Sequence, residues 1–185
     1  MKRAVTMCAM LSCFLVLGFP TARAEERVCR GTLGAVTVDN LRVPDGATCR
    51  LNGTTVQGTI KVESDATLVA EGVRVIGNVQ AENARRVVVR AGSRVGGSVQ
   101  VVQGEAARVA RTDVNGDILF DENTAPLAAI RNTVGGNVQA FQNTGGVEIR
   151  RNRIDGNLQC KENRPAPTGG GNVVQGNKED QCARL

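Results

Sequence analysis

Four carboxylates crowd into a short stretch of this sequence: Asp113, Asp117, Asp121 and Glu122. Two carboxylates held a few ångströms apart can act as acid and base, or acid and nucleophile, on a glycosidic bond. Any polysaccharide-cleaving chemistry would reside here. The chain has no histidine, which removes the commonest general base, the His-activated serine and cysteine nucleophiles, and the usual zinc ligands. Gly169, Gly170 and Gly171 offer backbone N–H groups to a phosphate, but the Gly-Lys-Ser/Thr context of a nucleotide loop is missing. No catalytic, cofactor or metal motif is therefore assigned. What the four acids do depends on the elements that carry them, because acids on neighbouring turns of a repetitive fold are ordinary surface residues.

The first residues read as an export signal. Lys2 and Arg3 precede an apolar run over residues 4–19, Pro20 breaks it, and Ala22-Arg23-Ala24 gives a small-x-small cleavage site. The run is shorter than the roughly 20 residues needed to span a bilayer. Cleavage after Ala24 is expected, with residues 25–185 forming one domain in a secreted or periplasmic protein and no membrane-spanning segment after processing. Without Lys2, Arg3 and Arg23 the chain has 20 basic and 18 acidic residues. That balance gives no bulk electrostatic case for nucleic acid. Beyond the leader the aromatics are Phe120 and Phe141, too few for a conventional globular core and few for a sugar-stacking platform.

The organising feature is a repeat. A β-branched residue, any residue, glycine, a small polar residue and an aliphatic residue recur, as in Val75-Ile76-Gly77-Asn78-Val79-Gln80 and Val134-Gly135-Gly136-Asn137-Val138-Gln139. The glycines stand at 58, 77, 97, 116, 136, 156 and 176, so the period is 19 or 20. A near-constant period with Val-rich runs and glycine at one phase is the signature of a one-coil solenoid. A second apolar cluster follows each glycine (Leu68-Val69, Val87-Val88-Val89, Val109, Leu127 to Ile130, Val147 to Ile149), and a third strand is expected just before it. The fold class is an all-β, single-stranded parallel β-helix of about seven coils. An antiparallel sandwich would not need glycine at one phase.

Stacking makes columns. Val56, Val75, Val95, Val114, Val134, Ile154 and Val174 should form one inward aliphatic ladder. Ile60, Val79, Val99, Ile118, Val138 and Leu158 should form another, ending at Lys178, which marks a capping coil. The repeat glycines are expected to supply positive φ or close approach at a corner. Asn132, Asn152 and Asn172 read as a structural amide ladder. Strand alternation sends Asn78, Gln80, Ser98, Gln100, Asn137, Gln139, Asn157 and Gln159 outward, so these eight make the candidate interaction face. Residues 164–171, rich in Pro and Gly, are expected to replace the second strand of the last coil with a loop.

Cys29 and Cys49 lie 20 residues apart, one coil; Cys160 and Cys182 lie 22 apart, one coil with a small insertion. Stacking would bring each pair within the roughly 4.4–6.8 Å Cα range of a disulfide. Pairing across the ends would have to bridge most of the rod. Cys29–Cys49 and Cys160–Cys182 are the expected bonds.

At Gly77-Asn78-Val79-Gln80 and its sister motifs the chain resembles bacterial secreted right-handed parallel β-helix repeat proteins, over most of residues 29–182. Its short coil and Gly-x-Val rhythm are also similar to bactofilins, which polymerise end to end. The leader and the disulfide-capped ends depart from bactofilins and argue for a finite rod. The resemblance implies a right-handed coil; it carries no activity, since fold alone does not. The functional expectation is an exported, non-catalytic rod presenting a rigid surface for adhesion, scaffolding or envelope contact, with no cofactor and with a glycan or the cell envelope as the class of partner. The alternative is a polysaccharide-binding or polysaccharide-cleaving protein. Ice or mineral binding would need regular threonine rows, whereas the relevant column mixes Thr59, Asn78, Ser98, Asp117, Asn137, Asn157 and Asn177.

Overall fold

A computed structural model describes residues 25–185; the leader and its cleavage site lie outside the described residues. Each coil contributes three short strands, and every strand pairs in parallel with its counterpart one coil away. The first sheet has nine strands, from Glu26–Val28 through Val79–Glu82, Val99–Val102, Ile118–Asp121 and Val138–Phe141 to Lys178–Asp180. The second has eight, from Gly31–Leu33 through Arg86–Arg90, Ala106–Ala110 and Leu127–Ile130 to Thr168–Gly170. The third has eight two-residue strands, from Thr37–Val38 to Val173–Val174. The protein is a parallel β-solenoid. At ~4.8 Å per rung, nine rungs span about 38 Å.

Eight coils stack where the glycine phase indicates seven. The extra coil is the first. Val38 pairs with Val56 and Leu41 with Ile60, so this coil is one residue short across the corner and lacks the repeat glycine. It joins both aliphatic ladders all the same, because inward pointing at Val38 and Leu41 suffices for stacking.

Both ladders form as expected. Val56, Val75, Val95, Val114, Val134 and Ile154 are buried, as are all six members of the Ile60–Leu158 column. Lys178 then pairs with Leu158 and is exposed. Beyond it the chain turns over the end of the stack and Leu185 packs against the core. Phe120, fully buried, stacks between Val101 and Ala140, so small neighbours make room for the one large ring in the interior.

The repeat glycines work by close approach alone. A Cβ on Gly77 would lie 2.7 Å from the carbonyl oxygen of Gly58, and one on Gly156 2.6 Å from that of Gly136. From Gly77 on, each repeat glycine packs on the glycine below, whereas Gly58 packs on Asp39 and Asn40; none has a left-handed φ. The left-handed corners lie elsewhere and are mostly not glycine. One column is Asn83, Gln103, Glu122, Gln142 and Glu162; another is Ala91, Arg111, Arg131 and Arg151. Such residues cost about 1–2 kcal/mol each; after Arg111, Glu122, Arg131, Gln142, Arg151 and Glu162 a hydrogen-bonded buried Thr or Asn follows and offsets it.

Asn132 donates from Nδ2 to Oδ1 of Asn152 (3.0 Å) and to the Val109 carbonyl (2.9 Å), and Asn152 repeats this on Asn172. That is the expected ladder. A second one, not read from the sequence, runs through Asn123, Asn143 and Asn163 and ends on Gln181.

Two disulfides close the ends, Cys29–Cys49 and Cys160–Cys182, with Cα separations of 5.5 and 5.2 Å. The pairing is the one the coil length requires, and it points to an oxidising environment. The last coil differs from expectation: Thr168–Gly170 is a strand paired with Glu148–Arg150, so the Pro/Gly segment does not displace it. A Cβ on Gly169 would fall 2.0 Å from the Ile149 carbonyl oxygen, so glycine here permits the pairing that its composition seemed to forbid.

Candidate functional site

All three sheets have a polar outward face, the third carrying Arg74, Arg94, Asp113, Thr133 and Arg153. The first sheet presents the column Lys61, Gln80, Gln100, Leu119, Gln139, Gln159 and Glu179. Its glutamines lie one coil apart and bond along the stack: Gln139 Nε2 donates to Gln159 (2.9 Å), Gln159 to Glu179 (2.8 Å), and Gln80 reaches Gln100 at 3.5 Å. Leu119 interrupts the row.

The other four members of the predicted face sit at the corner before each strand, half-buried. Asn78 Oδ1 accepts the backbone N–H of Ser98 (2.8 Å), and Ser98 Oγ accepts that of Asp117 (2.9 Å). Asn137 and Asn157 each accept the N–H of the next coil's asparagine at 2.8 Å. Their oxygens replace a sheet bond across the corner. The predicted face thus divides into four glutamines that face out and four small polar residues tied into the stack.

The four acids are scattered by the coil. Asp113 lies on the third sheet beside Arg94 (3.4 Å). Asp117 occupies the corner column, where Oδ1 accepts from both the backbone and the side chain of Asn137. Asp121 faces outward on the first sheet between Val102 and Phe141, and Glu122 takes the left-handed corner after it. Burial against those neighbours raises the Asp121 carboxyl above the ordinary aspartate range, and the charge of Glu122 adds to the rise. At the other end of this sheet Arg42 bridges Glu26 (2.7 Å) and Glu63 (3.3 Å), which push its pKa further up.

The second sheet presents a different face. Arg90, Ala110, Ile130 and Arg150 follow one another up one outward column, and Arg108 and Ala128 share the next. Arg111 and Arg131 stand at the corner directly after Ala110 and Ile130. These five arginines ring a cavity of about 300 Å³ whose floor is Ala110 and Ile130, with no acidic residue in its lining. Ala110, Ala128 and Ile130 form a small apolar cluster separate from the core, buried although they point outward. Arginine stems can cover such surface while the charged heads remain in water. Arg90 is held by Glu71 (3.0 Å) and Arg150 by Glu148 (2.6 Å); among the described residues, Arg108, Arg111 and Arg131 lie in no ion pair. A shallow groove of about 470 Å³ continues from this basin across Ala106, Ala128 and Gly146 toward Pro165 and Ala166, with Arg86, Arg108 and Glu148 on its border.

The basin was not read from the sequence, although part of it is periodic. Arg111, Arg131 and Arg151 are spaced by one coil and precede Thr112, Asn132 and Asn152. That spacing was a signal, masked by a second arginine phase at Arg74, Arg94 and Arg153 on the third sheet. Compared with known protein families, curated proteins and solved structures, the chain matches none. The geometry alone carries the functional reading.

Proposed function

We propose that the chain is an exported, non-catalytic rod that presents a rigid surface for adhesion, scaffolding or contact with the cell envelope. One observation carries this reading. Amide ladders inside the coils and covalent bonds at both ends hold the outward side chains on a fixed lattice, one rung every ~4.8 Å. A surface already fixed before contact loses little conformational entropy on binding, which favours recognition of an extended partner. The paired cysteines support a secreted or periplasmic setting.

Retention on envelope material tests the proposal. Purified protein is expected to co-sediment with isolated cell envelopes or to be captured on a glycan array above a charge-matched globular control. Absence of enrichment on both would sink it.

A further inference from the structure

We propose that the arginine basin on the second sheet binds an acidic polysaccharide whose sugar rings carry carboxylates, a polyuronate, lying along the rod. This rests on the reading of the chain as a presenting surface and names the site and the partner class.

The first argument is charge. Five guanidiniums converge on one cavity without an acidic lining residue, and three of them have no ion-pair partner among the described residues. Like charges gathered in one place repel, so the cluster is an unspent attraction for anions. Guanidinium offers two parallel N–H donors to a planar carboxylate.

The second argument is shape. The Arg111 N–H bonds to the Ile130 carbonyl and the Arg131 N–H to that of Arg150, so these corners stand one rung apart, ~4.8 Å, with Arg151 next in line. That rise is close to the length of one pyranose unit, which matches one charge per sugar. The floor is apolar, Ala110 and Ile130, suited to the C–H face of a sugar ring. The groove across Ala106, Ala128 and Gly146 extends the track past Arg86 and Arg108 as far as Glu148, whose carboxylate is paired with Arg150.

A nucleic acid fits less well. Base stacking needs aromatic platforms, and the two phenylalanines beyond the leader both lie on the first sheet. A flat bilayer would not enter a recessed basin floored by alanine.

The test uses the full processed chain, oligogalacturonate as the probe and titration calorimetry at near-physiological salt. The key variant is Arg111→Gln with Arg131→Gln. Glutamine already occupies left-handed corners of the other column, Gln103 and Gln142, so this fold accepts it in that conformation; a melting temperature no lower than that of the native protein confirms integrity. The expected result is saturable binding that weakens with added salt, falls at least tenfold in the double arginine variant, and persists in Gln139→Ala with Gln159→Ala. No binding of oligogalacturonate, equal binding of an uncharged dextran, or no loss in the arginine variant would overturn the proposal. Tighter binding of single-stranded DNA or polyphosphate overturns it in favour of a phosphate polymer. Retention on envelopes without polyuronate binding removes the basin's partner yet leaves the presenting-surface reading intact; loss of both removes both.

Discussion

The first and second sheets are built from the same coils, yet their outer faces treat polar side chains in opposite ways. On the first, glutamine bonds to glutamine one rung up, and the small polar corner column is absorbed by backbone N–H groups. On the second, arginines surround an apolar floor and three of them find no acid among the described residues. The difference teaches that strict repetition consumes side chains. A residue repeated every coil meets its own copy, and an amide can satisfy an amide. A guanidinium cannot satisfy a guanidinium, so stacked arginines stay available to something else.

The deepest test of this contrast lies inside the coil. Asn143→Ala leaves the buried Asn123 N–H without its acceptor, takes one of two acceptors from Asn123 Nδ2 and removes a donor from the Phe120 carbonyl. It should cost about 2–3 kcal/mol, measured by urea unfolding; a loss below about 0.5 kcal/mol would show that the ladder is decoration. At the corner, Asn137→Ala deprives the half-buried Asn157 N–H of its acceptor. About 1 kcal/mol is expected. The outward glutamines come next: Gln139→Ala with Gln159→Ala, at half-buried surface positions, should stay within about 0.5 kcal/mol. If they cost as much as Asn137→Ala, the two halves of that face are equivalent and the division drawn above fails.

The basin predicts an effect of the opposite sign. Crowded guanidiniums repel, so added salt should raise the melting temperature of the native protein by a degree or two more than that of Arg111→Gln with Arg131→Gln. Identical salt responses would mean that the charges do not feel one another. The smallest effect belongs to Asp121, whose pKa is raised by burial and then by Glu122. Its ionised form costs stability. That cost is absent below the ordinary aspartate pKa and complete above the raised one. Asp121→Asn should therefore match the native protein near pH 3 and gain on it as pH rises, within about 0.5 kcal/mol. A gain that instead grows toward acid would reverse the assignment.

Much of the architecture was legible because it repeats. The glycine phase located the coils, the valine and isoleucine positions located the interior, and the cysteine spacings located both staples. The first coil escaped because it lacks the glycine; Thr168–Gly170 escaped because glycines carry no strand signal. The Asn123–Asn143–Asn163 ladder was as periodic as the one that was read, but it follows the first sheet's strands, away from the glycine motif used as the ruler.

The sequence by itself determined the stacking, because a side chain that recurs at coil spacing must meet its own copy whatever the path between. Only the tertiary structure decided which polar residues remain free. Which corner turns left-handed, and which outward position is floored by Ala110 and Ile130 and ringed by Arg108, Arg111 and Arg131, depends on contacts between side chains at different phases of neighbouring coils. A period fixes equal phases against each other and is silent about unequal ones.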